Sequence, residues 1–284
     1  MTMMTSEGGK TATRPAWLRL VVLLVLFLLI EAVVGPVARG LGDVPVAGLP
    51  VGLALAALVL LVYRTVAGRL ERRDVDELAR DGAVASVRRG TLIGLGLFAV
   101  MIGALAAFGA YAATWGSVWV ALTSLGLMCA VAVTEELMFR GVLFRIVEEV
   151  AGTWGALVVS ALLFGALHLV NPNATVWGVL AIAVEAGLML GAAYAATRSL
   201  WLPIGIHLGW NFAQAGIFGV TVSGSDGTTG LLNGVLTGPA ALTGGSFGPE
   251  GSILAIVICG IPAIWFLRLA ARRGRIFPRR AATP

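Results

Sequence analysis

Seven ionisable side chains lie within apolar runs of the sequence, where an ionisable group is costly and is a functional candidate by default. They are Glu31, Glu135, Glu136, Arg140, His168, Glu185 and His207. The histidines among them are the only two in the chain. Carboxylates and imidazoles together can deprotonate water or hold a metal ion. The set therefore predicts either acid–base or metal-assisted chemistry.

Helical spacing distinguishes the members of the first cluster. Glu136 and Arg140 are four residues apart, the spacing of an ion pair along one helix, so Arg140 is expected to neutralise and orient the acidic pair. Adjacent residues point about 100° apart on a helix, so Glu135 and Glu136 are not expected to face one cavity together. This spacing leaves Glu135 as the carboxyl available for chemistry.

Two further pairs at four-residue spacing place functional groups on shared helix faces. Phe164 and His168 form one pair, in which the phenyl ring is expected to wall one side of the imidazole. His207 and Asn211 form the other. An imidazole and a carboxamide side by side can donate hydrogen bonds to a developing oxyanion.

The elements that must position these residues are membrane helices. The chain is 58% hydrophobic and only 12% charged, with a mean hydropathy of +0.93. This composition excludes a soluble globular enzyme and a disordered protein. It predicts one all-α domain over residues 1–284, a polytopic bundle of eight transmembrane helices. The expected spans are about 17–35, 46–63, 91–113, 117–147, 155–170, 176–197, 201–219 and 251–270.

Estimated depths place the candidate residues in one layer of the membrane. At about 1.5 Å per residue, Glu135, His168 and Glu185 lie roughly 18–20 Å from the ends of their spans, and His207 at most about 14 Å. Four spans thus bring polar groups to a similar depth, as a single site lined by several helices requires.

The basic residues predict the orientation of the bundle. Twenty Lys and Arg against 15 Asp and Glu give a formal net charge of +5. With eight spans, the basic residues of the loops and tails fall on one side of the membrane, and only Arg39 falls on the other. The positive-inside rule then places both termini in the cytoplasm. Membrane anchoring explains the high isoelectric point, so no nucleic acid is expected as a partner.

Two connecting segments and the cysteines complete the organisation. Residues 64–90 mix arginines with acidic residues and are expected to form a charged, solvated cytoplasmic helix. Residues 220–250 are rich in Gly, Ser and Thr, and are expected to form a mobile extracytoplasmic loop. Cys129 and Cys259 lie in apolar runs and are expected to pack there rather than form a disulfide.

Three motifs in order resemble a known family. They are Glu135-Glu136-x-x-x-Arg140, Phe164-x-x-x-His168 and His207-x-x-x-Asn211, on successive spans over about residues 115–215. Together they are similar to the CAAX-protease and bacteriocin-processing (Abi) family of intramembrane endopeptidases, related to the type II CAAX prenyl protease. The resemblance implies hydrolysis of a peptide bond in a membrane-associated or lipid-anchored peptide.

The resemblance also implies a role for each motif position. Glu135 corresponds to the catalytic glutamate, with Glu136 and Arg140 completing the first motif. His168 corresponds to the histidine that helps activate water. The third motif is formed by His207 and Asn211.

Two mechanisms remain open at this point. In one, Glu135 and His168 deprotonate a trapped water, while His207 and Asn211 donate hydrogen bonds to the oxyanion. In the other, Glu135, His168 and His207 bind Zn²⁺, with water as the fourth ligand. The first is favoured slightly, because asparagine is a poor zinc ligand and a good oxyanion donor.

Other functions are also compatible with intramembrane charges. Glu31 and Glu185 match no motif and are expected to tie helices together, with a histidine as the alternative partner of Glu185. A non-enzymatic immunity or adaptor protein is one alternative function, and a proton-coupled transporter is another. No internal repeat supports the transporter. The arginine-rich composition favours a bacterial plasma membrane protein, with bacteriocin maturation, self-immunity or surface-protein processing as its setting.

Overall fold

The structure is a computed structural model that describes residues 14–41, 47–226 and 229–279. Within these ranges the chain is nearly all helical. The helices are α1 (Ala16–Leu41), α2 (Gly48–Glu71), α3 (Ala83–Ala107), α4 (Val118–Glu136), α5 (Arg145–Leu167), α6 (Val176–Ile182), α7 (Met189–Thr197), α8 (Trp201–Asn211), α9 (Ala240–Thr243) and α10 (Ile253–Arg272). The side chain of Arg39, the one basic residue predicted on the far side of the membrane, lies outside the described part.

Six helical segments of the described chain are long and apolar enough to cross a membrane. They are Ala16–Val37, Gly48–Glu71, Ala83–Ala107, Val118–Val170, Val176–Thr197 and Ile253–Arg272. The predicted all-α polytopic fold is therefore confirmed.

The eight predicted spans are distributed over these six segments and one shorter helix. Val118–Val170 has 53 residues, which at about 1.5 Å each is more than twice the thickness of a bilayer core. It contains two predicted spans and breaks at Gly152, where φ is 72° and ψ is 175°. The remaining predicted span, 201–219, corresponds to α8 and a helical turn that ends at Ile217.

The charged segment 64–90 does not form a helix of its own, so that part of the prediction is wrong. α2 continues to Glu71, a short 3₁₀ turn follows at Asp76–Leu78, and α3 begins at Ala83. The carboxyls of Glu71 and Glu77 are buried rather than solvated. Their arginine partners explain this burial, because a paired carboxylate can leave water at much lower cost than an isolated one.

A small two-stranded antiparallel sheet was not predicted. β1 (Tyr111–Trp115) pairs antiparallel with β2 (Leu232–Leu236), with Ala113 opposite Gly234. β2 lies within 220–250, and α9 and short 3₁₀ turns at Gly245–Phe247 and Pro249–Gly251 follow it. The described part of this loop thus packs against one end of the bundle.

Glycines allow α8, which carries two of the candidate residues, to lie very close to α3. A Cβ atom on Gly94 would be 2.1 Å from the carbonyl oxygen of Ile206, and one on Gly90 would be 2.4 Å from that of Leu202. Small residues permit such close backbone approach between membrane helices. The position of His207 is therefore fixed in part by the glycines of a neighbouring helix.

Candidate active site

Three π-helical turns interrupt the helices at the candidate residues. Leu137–Phe144 follows Glu136, Ala183–Leu188 contains Glu185, and Phe212–Ile217 follows Asn211. A π turn carries an extra residue relative to an α turn, so it changes the direction in which neighbouring side chains point, and it is frequent at functional sites. The sequence analysis did not predict these turns.

The His207 ring lies between the two adjacent glutamates. Its Nδ1 is 3.0 Å from Glu136 Oε1, and its Nε2 is 3.9 Å from Glu135 Oε2. All three side chains are buried. The two glutamates meet opposite nitrogens of one ring, which agrees with the expectation that they do not face one cavity together.

Arg140 forms an ion pair with Glu136, as its spacing predicted. Its Nη1 donates to Glu136 Oε1 over 2.7 Å. Its Nη2 donates to the backbone oxygens of Ala186 (3.1 Å) and Gly187 (3.0 Å), which belong to a neighbouring π turn. The guanidinium carbon also lies 4.8 Å from the centre of the Phe164 ring. Arg140 is fully buried and ties α4 to the α6–α7 segment.

His168 is fixed by the last turn of its own helix. Its Nδ1 is 2.9 Å from the backbone oxygen of Phe164. The Phe164 ring lies 5.2 Å from the His168 ring and 6.0 Å from the His207 ring, measured between centroids. The predicted phenyl wall is confirmed, and it contacts both histidines.

The partners of the histidines determine which ring nitrogen carries the proton. A carbonyl oxygen only accepts hydrogen bonds, so His168 Nδ1 must donate to Phe164. Glu136 Oε1 already accepts from Arg140 as a carboxylate, so His207 Nδ1 is assigned as the donor to it as well. In the neutral rings, Nε2 of both histidines therefore has a free lone pair. Such a nitrogen can accept a proton or bind a metal ion.

A small buried cavity brings the histidines together with Asn211. Its volume is about 20 Å³, enough for about one water molecule. His168, His207 and Asn211 line it, together with Glu185 and Glu250. The site thus assembles both histidines and the carboxamide around one space.

Several buried polar atoms of the site have no hydrogen-bond partner within the described chain. They are Glu31 Oε1, Glu135 Oε2, Glu136 Oε2, Arg140 Nε and Glu185 Oε1. Buried polar atoms without partners are rare, since each one costs free energy. Free buried carboxylate oxygens of this kind are available to bind water or a ligand.

Glu185 lines the cavity without bonding to a histidine. Its Oε2 accepts a weak hydrogen bond from the thiol of Cys259 on α10 over 3.4 Å, and its Oε1 stays free. This bond joins two helices, as expected for Glu185 from the sequence, and the alternative partnership with a histidine is not seen among the described residues.

Glu250 was missed by the sequence analysis. It lies in a 3₁₀ turn just before α10 and is almost fully buried, and this burial raises its pKa above the ordinary value of 4.5. A lone acidic residue among glycines at the edge of an apolar span was the one signal that marked it. The loop composition concealed it, because Gly-rich segments are expected to be solvent-exposed.

A three-ligand metal site is not assembled in the part of the chain that the structure describes. Within it, no group of three or more His, Cys, Asp and Glu side chains is arranged to hold a metal ion. The free Nε2 atoms have the right chemistry for ligands, and their Nδ1 bonds resemble those of metal-binding histidines. The arrangement of the third ligand does not fit, so we derive no step through a metal. The zinc set stays a prediction.

Comparison with known protein families agrees with the resemblance carried by the three motifs. The family model described as type II CAAX prenyl endopeptidase Rce1-like matches residues 117–213. The matched segment runs from the start of α4 to just beyond Asn211, so it contains all three motifs. The resemblance inferred from the motifs is confirmed over this segment. No curated protein and no solved structure matches the chain.

Proposed function

We propose that this protein is an intramembrane endopeptidase that hydrolyses a peptide bond in a membrane-associated or lipid-anchored peptide. The observation that carries the proposal is the 3.9 Å approach of the unpartnered Glu135 Oε2 to the free Nε2 of His207. A water between these atoms would be within hydrogen-bonding reach of both. The matching family model supports a CAAX-type protease.

Glu135 is the general base of the proposed reaction. It takes a proton from the water as the water oxygen bonds to the carbonyl carbon of the substrate. The same proton is then delivered to the nitrogen of the leaving amine as the C–N bond breaks. Glu135 returns to its starting state, so the protons balance. A positioned carboxylate of this kind typically contributes about 10²- to 10⁴-fold to the rate.

His207 has a different role from the one its motif predicted. Because its Nδ1 donates to Glu136, the neutral ring presents an acceptor at Nε2 and cannot donate to an oxyanion from that atom. We propose that it orients the water beside Glu135. Glu136 fixes the orientation and the tautomer of the ring, as a carboxylate does for a histidine in other hydrolytic sites.

Asn211 and His168 complete the site on the cavity side. The Asn211 carboxamide can donate to the negatively charged oxygen of the tetrahedral intermediate. His168, with its free Nε2, can accept a proton or a hydrogen bond from the substrate or water.

Bacteriocin maturation, self-immunity and surface-protein processing are the settings in which we expect such a substrate, at a bacterial plasma membrane with both termini of the protein in the cytoplasm.

Comparative membrane proteomics tests the proposal and finds the substrate. Cells that express the wild type are compared with cells that express Glu135→Ala, His168→Ala or His207→Ala at equal levels. At least one peptide is expected to stay uncleaved in all three variants. Asp81→Ala removes an exposed carboxyl far from the site and serves as the control. Identical peptide profiles in the wild type and all three variants would contradict the proposal and favour an adaptor protein.

A further inference from the structure

The buried carboxyl of Glu250 is connected by hydrogen bonds to both histidine-bearing segments. It lies outside all three motifs and outside the segment 117–213 that the family model matches. Each of its oxygens accepts from a different part of the chain. The two connections are independent of each other.

The first connection leads to α8. Trp210 Nε1 donates to Glu250 Oε1 over 3.0 Å. Trp210 is buried, adjacent to Asn211 and three residues after His207. A displacement of this indole would therefore move the helix turn that carries His207 and Asn211.

The second connection leads to the turn that carries His168. Ser223 donates its backbone N–H (2.6 Å) and its hydroxyl (2.7 Å) to Glu250 Oε2. The backbone oxygen of Ser223 accepts from Asn171 Nδ2 over 2.7 Å, and the Asn171 N–H donates to the backbone oxygen of His168. Glu250 thus reaches His168 through two intermediate residues.

The backbone of Ser223 shows that this connection is held against a local cost. Its φ is +48°, a left-handed conformation that residues other than glycine rarely adopt. The surroundings must determine such a conformation, and here Glu250 accepts both donors of the residue.

We propose that Glu250 is a positioning residue, which fixes the distance between the His168 and His207 segments across the cavity. The proposal rests on the proposed function for its effect on rate, but not for its effect on geometry. Because catalysis depends on placement, a shift of about 1 Å at the histidines is expected to lower kcat by about 10- to 100-fold. KM is expected to change little, since both carboxylate oxygens of Glu250 already accept from donors of the chain.

The two histidines allow a direct test, because the whole chain gives only two histidine ring signals in NMR. The full-length protein is labelled with ¹³C-histidine, purified through a tag without histidine, and placed in lipid nanodiscs. Glu250→Gln keeps the size of the side chain but leaves at least one of its donors without an acceptor. We expect at least one ring signal to shift in Glu250→Gln, and kcat to fall as stated on the peptide identified by proteomics.

Trp177→Phe is the matched control. The Trp177 indole donates to the backbone oxygen of Gly251, the residue after Glu250, over 2.8 Å. It lies on α6, which carries neither histidine. This variant loses a hydrogen bond of the same kind to the same turn, so a merely structural role of the turn would affect both variants equally. We expect both ring signals and kcat to stay at their wild-type values in Trp177→Phe.

Trp210→Phe keeps the proposal testable if Glu250→Gln does not fold, since it breaks the α8 connection alone. It should shift the His207 signal and lower kcat. Folded variants of Glu250 and Trp210 with wild-type histidine signals would overturn the proposal. Equal shifts in Trp177→Phe would overturn it too. If the signals shift as expected but the wild type cleaves no peptide, the positioning role stands and the proposed function fails.

Discussion

Two buried clusters of charged side chains in this protein differ in whether their carboxylate oxygens accept hydrogen bonds. The first, which we call the ion-pair network, consists of Arg19, Glu71, Arg73, Glu77 and Arg145. Every carboxylate oxygen of Glu71 and Glu77 accepts from at least one of these arginines. In the candidate active site, by contrast, Glu135, Glu136 and Glu185 each keep a buried oxygen without a donor in the described chain.

This difference separates the charges that hold helices together from those that can do chemistry. The ion-pair network supports the fold directly: Tyr63 Oη and Arg145 Nε both donate to the backbone oxygen of Gly141 over 2.9 Å, within the π turn that carries Arg140. Filled acceptors stabilise a structure, whereas free acceptors cost free energy until a ligand or water occupies them. Burial alone does not distinguish the clusters, and each contains an unpartnered arginine Nε (Arg19 or Arg140), but the free carboxylate oxygens do distinguish them.

The largest effect is expected from Glu135→Gln. Cleavage of the identified peptide should slow by about 10²- to 10⁴-fold, since the general base is lost. The free energy of unfolding should not fall, because the substituted Oε2 has no partner to lose. Rate and thermal stability are measured on the same purified sample. A large loss of stability with no change in rate would place Glu135 with the structural charges and break the comparison.

The opposite result is expected from Glu71→Ala. Removal of this carboxylate leaves buried arginines without their partner, so the free energy of unfolding should fall by about 3–5 kcal/mol. The measurement is denaturant unfolding in detergent. Glu149→Ala is the control, since Glu149 also pairs with Arg19 but is about one-third exposed, and such a pair contributes about 1 kcal/mol or less. Equal losses in both variants would show that the network does not act through burial.

Gly94→Ala tests whether the helix crossing positions His207. The new Cβ would lie 2.1 Å from the backbone oxygen of Ile206, so α8 must shift, at a cost of about 1–3 kcal/mol. The cleavage rate should fall as well, because Ile206 directly precedes His207. Gly96→Ala on the same helix is the control, since its Cβ would meet nothing within 4 Å. An unchanged rate in a destabilised Gly94→Ala would show that the site tolerates this displacement.

The smallest effect concerns the pH dependence of stability at Glu77. Burial alone would raise the pKa of this carboxyl, but Arg73, Arg145 and the hydrogen bond from Tyr63 together outweigh it and lower the pKa below its ordinary value of 4.5. A group with a lowered pKa in the folded state stabilises the protein above the unfolded value, and this contribution is lost as the pH falls. The wild type should therefore lose more stability than Glu77→Gln between pH 6 and about pH 3. Parallel losses in the two proteins, followed by thermal unfolding, would contradict the assignment.

The parts of the site that depend on local spacing were predictable from the sequence. Residues four apart on one helix lie on the same face. This spacing predicts both the Glu136–Arg140 ion pair and the packing of Phe164 on His168. The placement of His207 between two glutamates was not predictable, since it depends on a π turn and on the close crossing of α3 and α8. Glu250 was hidden for a related reason: its partners are Trp210 and Ser223, which are 40 and 27 residues away in the chain.

The central claim is that Glu135 and His207 activate a water for peptide hydrolysis. The most direct measurement is cleavage of the identified peptide in ¹⁸O-labelled water, with the wild type and Glu135→Gln in nanodiscs. The wild type is expected to release a product with one ¹⁸O atom in its new carboxyl group, and Glu135→Gln about a hundredth as much or less. Labelled product at equal rates from both proteins, or no cleavage by either, would contradict the account.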